Sequence, residues 1–364
     1  CLGKYGKTIE LQYCPRAYED AWSLTMKAFG GDRNLECLEQ PSQLFNALKL
    51  EKASGAPLFT SKGDAFDEDY QRMLRFAAGD IAAQPCVAYH RVQHGDSGPK
   101  VRLVWGYPLH MTLLEAKYAR PLIETFLSKR CVIAFGLHRH ELAARLVPIE
   151  NMGIRYGFDF SGFDSSIAAK LIDRAFNVLK THFVNVCERE WDRMVHYFIH
   201  TPILMPVGMV YVKHQGVPSG SYFTQLIDSI VNYFAQQYSC IVLLNKAVDS
   251  SRVLVLGDDG LLGLDAYVPL AKWASTFKHL GLFLNASKSE VTRYGDNISF
   301  LGHYWNMGLA NRDLADIAKR MAFPERVIHI DDARLRILSR VLAFGGDAIN
   351  AHLIIIRWSR YKGP

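Results

Sequence analysis

The segment Ser251-Arg-Val-Leu-Val-Leu-Gly-Asp-Asp-Gly-Leu-Leu-Gly-Leu264 is the part of the chain around which the predicted fold is organised. Its two apolar runs, residues 253–256 and 261–264, flank the four-residue sequence Gly-Asp-Asp-Gly. This pattern predicts a β-hairpin with a tight turn. We expect Asp258 and Asp259 to lie side by side at its tip. Adjacent carboxylates repel each other, so a fold either gives them a cation to bind or leaves them in solvent. The hairpin alone leaves both alternatives open.

A second acidic segment runs from Ile154 to Ser166. Residues 154–160 read as a strand that breaks at Ser161-Gly162, which places Asp159 near its end and Asp164 in the turn that opens a helix over residues 165–183. Helix capping would account for Asp164. Capping does not account for Asp159, an acid that ends an aromatic strand, so we expect it to have a partner.

A glycine-rich loop, residues 216–220, precedes a helix predicted over residues 222–238. Thr224, Asp228 and Asn232 are spaced four residues apart, so they share one face of that helix. This polar stripe is either a solvated face or an edge that reads a sugar or a phosphate.

Two cations, Lys100 and Arg102, alternate with Val101 and Leu103 in a predicted strand over residues 100–108. They project from one face, which suits a polyphosphate ligand or a solvated strand surface. A helix over residues 112–126 is expected next, interrupted near Pro121.

The remaining chain is predicted to be mainly scaffold. Helices are expected over residues 17–29, 42–50, 67–78, 268–280 and 347–357, with a further one from residue 331. Residues 1–98 contain no motif of their own, and residues 298–305 form a strongly apolar β-type segment. Lys288 lies on the loop after the helix at 268–280.

Composition limits the class of protein without fixing it. The 364 residues carry a net charge of +6 and are 49% hydrophobic, which is ordinary for a globular protein and permits a nucleic-acid partner. The seven scattered cysteines form no Cys-x-x-Cys pair, which argues against a disulfide framework or a zinc cluster. No apolar run approaches membrane-spanning length, and a start at Cys1 suggests a segment of a longer protein.

The order of these motifs resembles the palm of viral RNA-dependent RNA polymerases, nearest to those of partitiviruses and related double-stranded RNA viruses. The resemblance rests on residues 104–108 (VWGYP), 158–164 (FDFSGFD), 216–224 (GVPSGSYFT) and the Gly-Asp-Asp hairpin, and it covers residues 100–305. It implies an α+β right-hand polymerase whose palm has an antiparallel sheet and whose thumb is helical. Fingers would span 1–152 and 165–215, the palm 153–164 and 216–310, and the start of the thumb 311–364.

The resemblance also implies a catalytic centre. Asp159 and Asp258 would bind two Mg²⁺ (or Mn²⁺) ions, with Asp259 as a weaker contributor. Lys288 matches the lysine proposed to protonate the departing pyrophosphate, although Lys278 is near in sequence.

The nucleotide-binding residues are implied in the same way. Lys100 and Arg102 would bind the triphosphate, while Ser219 and Gly220 lie in the loop that would steer template and nucleotide. Thr224 belongs to the polar helix face that would read the ribose. Asp164 would read the ribose together with Asn232. Asp228 stands where the family commonly has an asparagine, which leaves the choice between Asp228 and Asn232 open.

The implied function is template-directed RNA synthesis from ribonucleoside triphosphates. A reverse transcriptase and a non-catalytic RNA-binding protein with a decayed palm are the alternatives. The implied partners are RNA template, product strand, ribonucleoside triphosphates and a viral capsid protein. The implied location is the host cytoplasm, within the virion or a replication particle.

Overall fold

The structure, a computed structural model, describes residues 2–6, 8–95, 98–128, 132–206, 208–313 and 315. The helices are α1 (Pro15–Phe29), α2 (Pro41–Asn46), α3 (Lys62–Ala78), α4 (Leu109–Ser128), α5 (Arg139–Glu150), α6 (Phe163–Ser166), α7 (Ala169–Lys180), α8 (Glu188–Ile199), α9 (Thr224–Leu244) and α10 (Leu270–Lys278). The strands are β1 (Cys86–Gly95), β2 (Gly98–Gly106), β3 (Ile154–Phe158), β4 (Pro202–Leu204), β5 (Val210–Val212), β6 (Val253–Leu256), β7 (Asp259–Leu264), β8 (Glu290–Arg293), β9 (Ile298–Phe300), β10 (His303–Asn306) and β11 (Leu309–Asn311).

Helix α9 lies at the centre of the main core. Every residue from Leu226 to Cys240 is buried, so the helix is enclosed on all sides rather than on one stripe. Helix α1 packs along it, with the Trp22 ring stacked on Phe234 at a centroid distance of 4.2 Å. A helix held this way offers rigid positions for any polar side chain that emerges from it.

The sheet that carries the hairpin has the strand order β6-β7-β3-β8, and all its pairs are antiparallel. This confirms the predicted antiparallel sheet. Its residues alternate between two cores, as strand geometry requires. Val253 and Val255 join the main core beneath α9, whereas Leu254 and Leu261 join a second cluster with α5, Phe300 and other residues.

A second four-stranded sheet, β2-β1-β4-β5, holds the cation strand. β1 and β2 form an antiparallel hairpin in which Lys100 pairs with Gln93 and Arg102 with Arg91. The predicted strand is therefore confirmed. It ends at Gly106, just before α4.

The apolar segment over residues 298–305 is a hairpin rather than one strand. β9 and β10 pair in a three-stranded sheet with β11, and Leu301 and Gly302 make the turn with positive φ angles of 51° and 71°. Phe300 and Trp305 are buried, and the Trp305 indole donates to the Phe300 carbonyl at 3.1 Å. Packing is the observed role of this segment.

The predicted interruption at Pro121 was wrong, because α4 continues through it. Proline lacks a backbone N–H, so the carbonyl of Lys117 loses its helical partner. The backbone N–H of Leu38 donates to that carbonyl at 2.9 Å instead. The hydrogen bond that Pro121 removes from the helix is thus replaced by one from Leu38, which lies outside α4.

The predicted single helix over residues 165–183 was also wrong, since α6 ends at Ser166 and α7 begins at Ala169. Ile167 and Ala168 are extended between them. The backbone N–H of Gly216 donates to the Ile167 carbonyl at 2.8 Å, so the glycine-rich loop captures a backbone group that a continuous helix would use.

The three N-terminal helices are confirmed with shifted bounds, and α3 begins earlier because Ser61 caps it by accepting from the Asp64 backbone N–H. The domain boundaries at 152, 164, 215 and 310 remain predictions. The helices expected from residue 331 and over 347–357 lie outside the described residues. In the described part of the chain, no helix has the length and apolarity needed to cross a membrane, and Cys14, Cys37, Cys86, Cys187 and Cys240 are free thiols.

Candidate active site

The Gly-Asp-Asp-Gly hairpin has a two-residue loop. Leu256 pairs with Asp259, so Gly257 and Asp258 form the turn and Asp259 is the first residue of β7. Gly257 has a φ of +64°, which glycine adopts at no steric cost. The expectation of two acids at the tip is thus corrected: only Asp258 lies there.

Helix α9 holds this turn through side-chain hydrogen bonds. The Asn232 Nδ2 donates to the carbonyls of Gly257, Asp258 and Asp259 at 3.0, 3.0 and 3.2 Å. The Ser229 hydroxyl accepts from the Gly257 N–H at 2.8 Å. These contacts fix the backbone from which both acids project.

Gly260, the second glycine of the Gly-Asp-Asp-Gly sequence, is required because helix α9 packs closely against it. A Cβ at Gly260 would lie 2.4 Å from the Gln236 Nε2 and 2.9 Å from the Asn232 Oδ1. Both of those side chains are fully buried and bonded to each other at 2.9 Å. The motif therefore needs glycine here for close approach of the helix, not for the turn.

Asp159 lies beside the hairpin, as the sequence predicted. The β3–β7 ladder ends at the Phe158–Gly260 pair, and Asp159 and Asp259 follow it on the two neighbouring strands. The proximity of the three carboxylates affects the pKa of Asp259. Desolvation, followed by repulsion from Asp258 and Asp159, raises this pKa to about 6.

The loop that carries Lys288 is attached to the backbone of Asp159. The Asp159 N–H donates to the Ser289 hydroxyl at 3.0 Å, and the Asn285 N–H donates to the Asp159 carbonyl at 2.8 Å. Lys288 is exposed in this loop, whereas Lys278 lies at the end of α10. Of the two lysines, Lys288 is the one on a segment bonded to Asp159.

Asp164 and Asp228 form a second acidic pair next to Asp258. Burial, then Asp258, raise the pKa of Asp164 to about 6, while Arg102 acts in the opposite direction. Burial, then Asp164 and Asp258, raise the pKa of Asp228 well above its usual range. The Asp228 Oδ1 is buried and has no hydrogen-bond partner among the described residues.

The glycine-rich loop is held against Asp164 and the cation strand. The Val217 N–H donates to the Asp164 carbonyl at 2.7 Å, and the Ser219 hydroxyl accepts from the Trp105 N–H at 3.3 Å. A Cβ at Gly220 would lie 2.1 Å from the Trp105 carbonyl, so the loop and β2 touch backbone to backbone. Thr224 closes the loop by donating to the Pro218 carbonyl at 2.7 Å.

These elements enclose an open cavity of about 450 Å³. Its lining comprises Phe135, Asp164, Ser219, Ser221, Tyr222, Thr224, Gln225, Asp228, Gly257 and Asp258. Arg102 is exposed near it and lies close enough to act on Asp164. Lys100 lies on the same strand as Arg102, β2, and its backbone pairs with Gln93 of β1. The cavity lining thus includes five of the predicted site residues, Asp164, Ser219, Thr224, Asp228 and Asp258. Asp159, Asp259, Asn232 and Lys288 are not part of that lining.

The donor set suits a hard divalent cation. Asp164, Asp228 and Asp259 all have pKa values raised in part by neighbouring carboxylates, so the site holds excess negative charge that a cation would offset. Within the described residues, no group of three or more His, Cys, Asp or Glu side chains is arranged to hold a metal ion. Mg²⁺ commonly takes one or two carboxylates together with substrate phosphates, and Asp159 and Asp258 fit that pattern.

Sequence reasoning missed Glu115, a buried acid of α4. One of its oxygens accepts from the Ser221 hydroxyl and from the Tyr222 N–H, each at 2.8 Å. Burial raises its pKa to about 7. Its signal in the sequence is a lone acid within an apolar helical run, between Leu114 and Ala116. It supports the loop rather than lining the cavity.

Comparison with solved structures identifies the class of fold. The crystal structure of "the RNA-dependent RNA polymerase of a human picorbirnavirus" superposes with a TM-score of 0.80, at 17% identity, over 99% of this chain and 72% of that one. An insertion-loop deletion mutant of that polymerase gives a TM-score of 0.75 at 19% identity. The fold is therefore the α+β polymerase fold that the sequence predicted.

The chain belongs to the family of viral RNA-dependent RNA polymerases, whose pattern matches residues 40–326. A relative named RNA-directed RNA polymerase, from Cryptosporidium parvum virus 1, is 27% identical over 84% of this chain and 64% of its own length. Another, from Atkinsonella hypoxylon virus, is 32% identical over 35% of this chain and 20% of its own length. The chain thus spans about 64% of the first of these relatives.

Proposed function

We propose that this protein synthesises RNA on an RNA template by transferring nucleotides from ribonucleoside triphosphates. The observation that carries the proposal is the end of the β3–β7 ladder, where Asp159 follows one strand and the Gly257-Asp258 turn caps the other. Asp258 lines the polar cavity and Asp159 ends the neighbouring strand. Two carboxylates on adjacent strands are the arrangement that two-metal nucleotidyl transfer uses.

In the reaction, a 3′-hydroxyl oxygen attacks the α-phosphorus, a new P–O bond forms, and the bond to the β-phosphate breaks to release pyrophosphate. Asp159 and Asp258 would hold two Mg²⁺ (or Mn²⁺) ions, with Asp259 contributing from β7. Such ions, when bound, lower the pKa of the attacking hydroxyl and neutralise charge on the leaving group. The α9 contacts to the hairpin keep Asp258 in place during turnover.

For the phosphates of the incoming nucleotide, Arg102 and Lys100 are the proposed binding residues. Arg102 presents a forked guanidinium on the exposed face of β2. Lys100 lies two residues earlier on the same strand, a spacing that assigns both residues to one face. Lys288 is the proposed donor of a proton to the departing pyrophosphate, because its loop is bonded to the backbone of Asp159.

Asp164 and Asp228 are the proposed readers of the ribose 2′-hydroxyl. Asn232 was favoured for this role on the sequence, but its amide donates to three hairpin carbonyls and its Oδ1 accepts from Gln236. Asp228 instead has a buried oxygen that finds no hydrogen-bond partner among the residues the structure describes, and it lines the cavity beside Asp164. We therefore assign Asn232 to the support of the hairpin.

The loop at Ser219 and Gly220 would steer the template and the nucleotide, since it is packed on β2 and closed by Thr224. RNA template and product strand are the proposed macromolecular ligands, and the net charge of +6 is compatible with them. We further propose a viral capsid protein as partner, and the host cytoplasm, in the virion or a replication particle, as location.

An assay of synthesis on a short RNA template tests the proposal. With Mg²⁺ present, we expect template-length product from ribonucleoside triphosphates, and none after chelation of the metal. Product formed only from deoxynucleoside triphosphates would identify a reverse transcriptase. RNA binding without any synthesis would support the non-catalytic alternative.

A further inference from the structure

A buried lysine lies between the end of α8 and the glycine-rich loop. Lys213 is fully buried. Its Nζ donates to the backbone carbonyls of Phe198, Ile199 and Gly216, at 3.0 and 2.6 Å for the last two. An ammonium group has three N–H donors, so these three acceptors use all of them. Burial lowers the pKa of Lys213 to about 7, because desolvation disfavours the charge, and the three carbonyls act against that cost.

Two of these carbonyls belong to the C-terminal end of α8. Phe198 and Ile199 are the last residues of that helix, where carbonyls have no intrahelical partner and a cation is favoured by the helix dipole. Capping of α8 would by itself account for a lysine here. It does not account for the third contact, to Gly216, which is the first residue of the glycine-rich loop.

The third contact fixes one peptide group of the loop. The carbonyl of Gly216 accepts from Lys213. The N–H on the other side of the same peptide bond, that of Val217, donates to the Asp164 carbonyl at 2.7 Å. Because a peptide group is planar, rotation of this unit would break both hydrogen bonds together. Lys213 is therefore separated by a single peptide group from the backbone that carries the Asp164 carboxylate.

The neighbouring residues of the loop hold the same backbone segment. The Gly216 N–H donates to the Ile167 carbonyl at 2.8 Å, and the Gln215 Nε2 donates to the Ser165 carbonyl at 3.2 Å. A Cβ at Gly216 would lie 2.6 Å from the Asp164 carbonyl, so the two backbones are in close contact at this point. A shift of Gly216 would therefore be passed on to the turn that presents Asp164 to the cavity.

We propose that Lys213 is a positioning residue for sugar selection, because its ammonium group fixes the Gly216–Val217 peptide and, through it, the placement of Asp164 in the cavity. This inference rests on the proposed function and adds a residue that lies outside the polymerase motifs. Lys213 is fully buried and is not part of the cavity lining, so it acts on Asp164 and not on the nucleotide. Its loss affects the reading of the ribose more than the transfer step.

The test compares Lys213→Met with the wild type in single-nucleotide incorporation. Methionine keeps the length of the side chain and removes the three donors. We expect the ratio of kcat/KM for a ribonucleotide to that for its deoxy analogue to fall about 10-fold, the effect of displacing one hydrogen bond between a charged group and the 2′-hydroxyl. A role in folding alone would lower the rates with both sugars equally and leave this ratio unchanged.

Thr201→Val is the matched control, because it alters the same end of α8 without removing a contact to the loop. The Thr201 hydroxyl donates to the carbonyls of Tyr197 and Phe198 at 2.8 and 3.1 Å, and valine keeps the branched shape of the side chain. We expect this control to have a lower unfolding temperature and the ratio of the wild type.

Lys213→Ala provides a second measurement, because n-propylammonium supplies the carbon chain and the ammonium group that the truncation removes. We expect added n-propylammonium, and not 1-propanol, to restore the ratio toward its wild-type value. Equal recovery with both additives would assign the effect to the cavity left by the truncation and would overturn the inference.

An unchanged ratio in Lys213→Met, with RNA synthesis intact, would overturn the inference and leave the proposed function standing. Failure of both lysine variants to fold would show a structural role and would have the same consequence. Absence of RNA synthesis by the wild type would overturn the proposed function, and the inference with it.

Discussion

The side-chain amide of Asn232 lies 3.0 Å from the backbone carbonyl of Asp258 and donates a hydrogen bond to it. The same nitrogen donates to the carbonyls on either side, Gly257 and Asp259. Two buried side chains of α9 thus hold the turn, since Asn232 donates to its carbonyls and Ser229 accepts from the Gly257 N–H. The geometry of the acidic hairpin is set by this helix as much as by the sheet.

Asn232→Ala should lower activity without changing sugar selection. Removal of the amide leaves three carbonyls without their donor, which costs about 1–3 kcal/mol of stability. We expect kcat to fall with ribonucleotide and deoxynucleotide alike, and the unfolding temperature to fall too. Asn177→Ala, an exposed change on α7, is the control.

Asp228→Ala provides the contrast to that prediction. If Asp228 reads the ribose, its truncation should lower the ratio of kcat/KM for ribonucleotide over deoxynucleotide by about 10-fold or more. The assignment fails if Asn232→Ala changes this ratio and Asp228→Ala does not.

Gly260→Ala should damage both stability and synthesis. The new Cβ would press on Gln236 and Asn232, which are fully buried, and overpacking of this kind costs about 1–3 kcal/mol. Displacement of Asn232 would also loosen the turn at Asp258. In Gly153→Ala the nearest atom to the added Cβ is 3.7 Å away, so this control should behave as the wild type. Equal activity of the two variants would contradict the helix-contact explanation of the motif.

Much of the site follows from local patterns in the chain. The strand before Asp159 and the hairpin at Gly257-Asp258 can each be predicted from a few neighbouring residues. In both cases a short apolar run is bounded by residues that end a strand, such as glycine. The resemblance to a family then gave their partners. The role of Glu115 could not be predicted, because it depends on two side chains 106 residues apart meeting in the fold, those of Glu115 and Ser221. The continuity of α4 at Pro121 likewise depends on Leu38, a distant donor.

Glu115→Gln should make the protein more stable at high pH than the wild type. The folded-state pKa of Glu115 is raised to about 7 from 4.5, so its ionisation opposes folding. Wild-type stability should therefore fall as pH rises from about 4.5 to 7, by up to about 3 kcal/mol from this group. Glutamine keeps an oxygen to accept from Ser221 and Tyr222 and never ionises.

The measurement is the unfolding temperature of both proteins at pH 5 and pH 8. We expect the advantage of Glu115→Gln to be larger at pH 8. Glu124→Gln, an exposed change on the same helix, should show no such trend. An advantage of equal size at both pH values would rule out a raised pKa at Glu115.

We expect the acid at the tip of the hairpin, Asp258, to support nucleotide transfer together with Asp159 on the neighbouring strand. The direct measurement is the rate of ribonucleotide incorporation by Asp258→Asn on an RNA template with Mg²⁺, with RNA binding followed in parallel. Asparagine keeps the size of the side chain and removes its charge. We expect incorporation to be at least about 1,000-fold slower than in the wild type, with RNA affinity nearly unchanged, if Asp258 holds a catalytic metal ion. Incorporation by Asp258→Asn at the wild-type rate would contradict it.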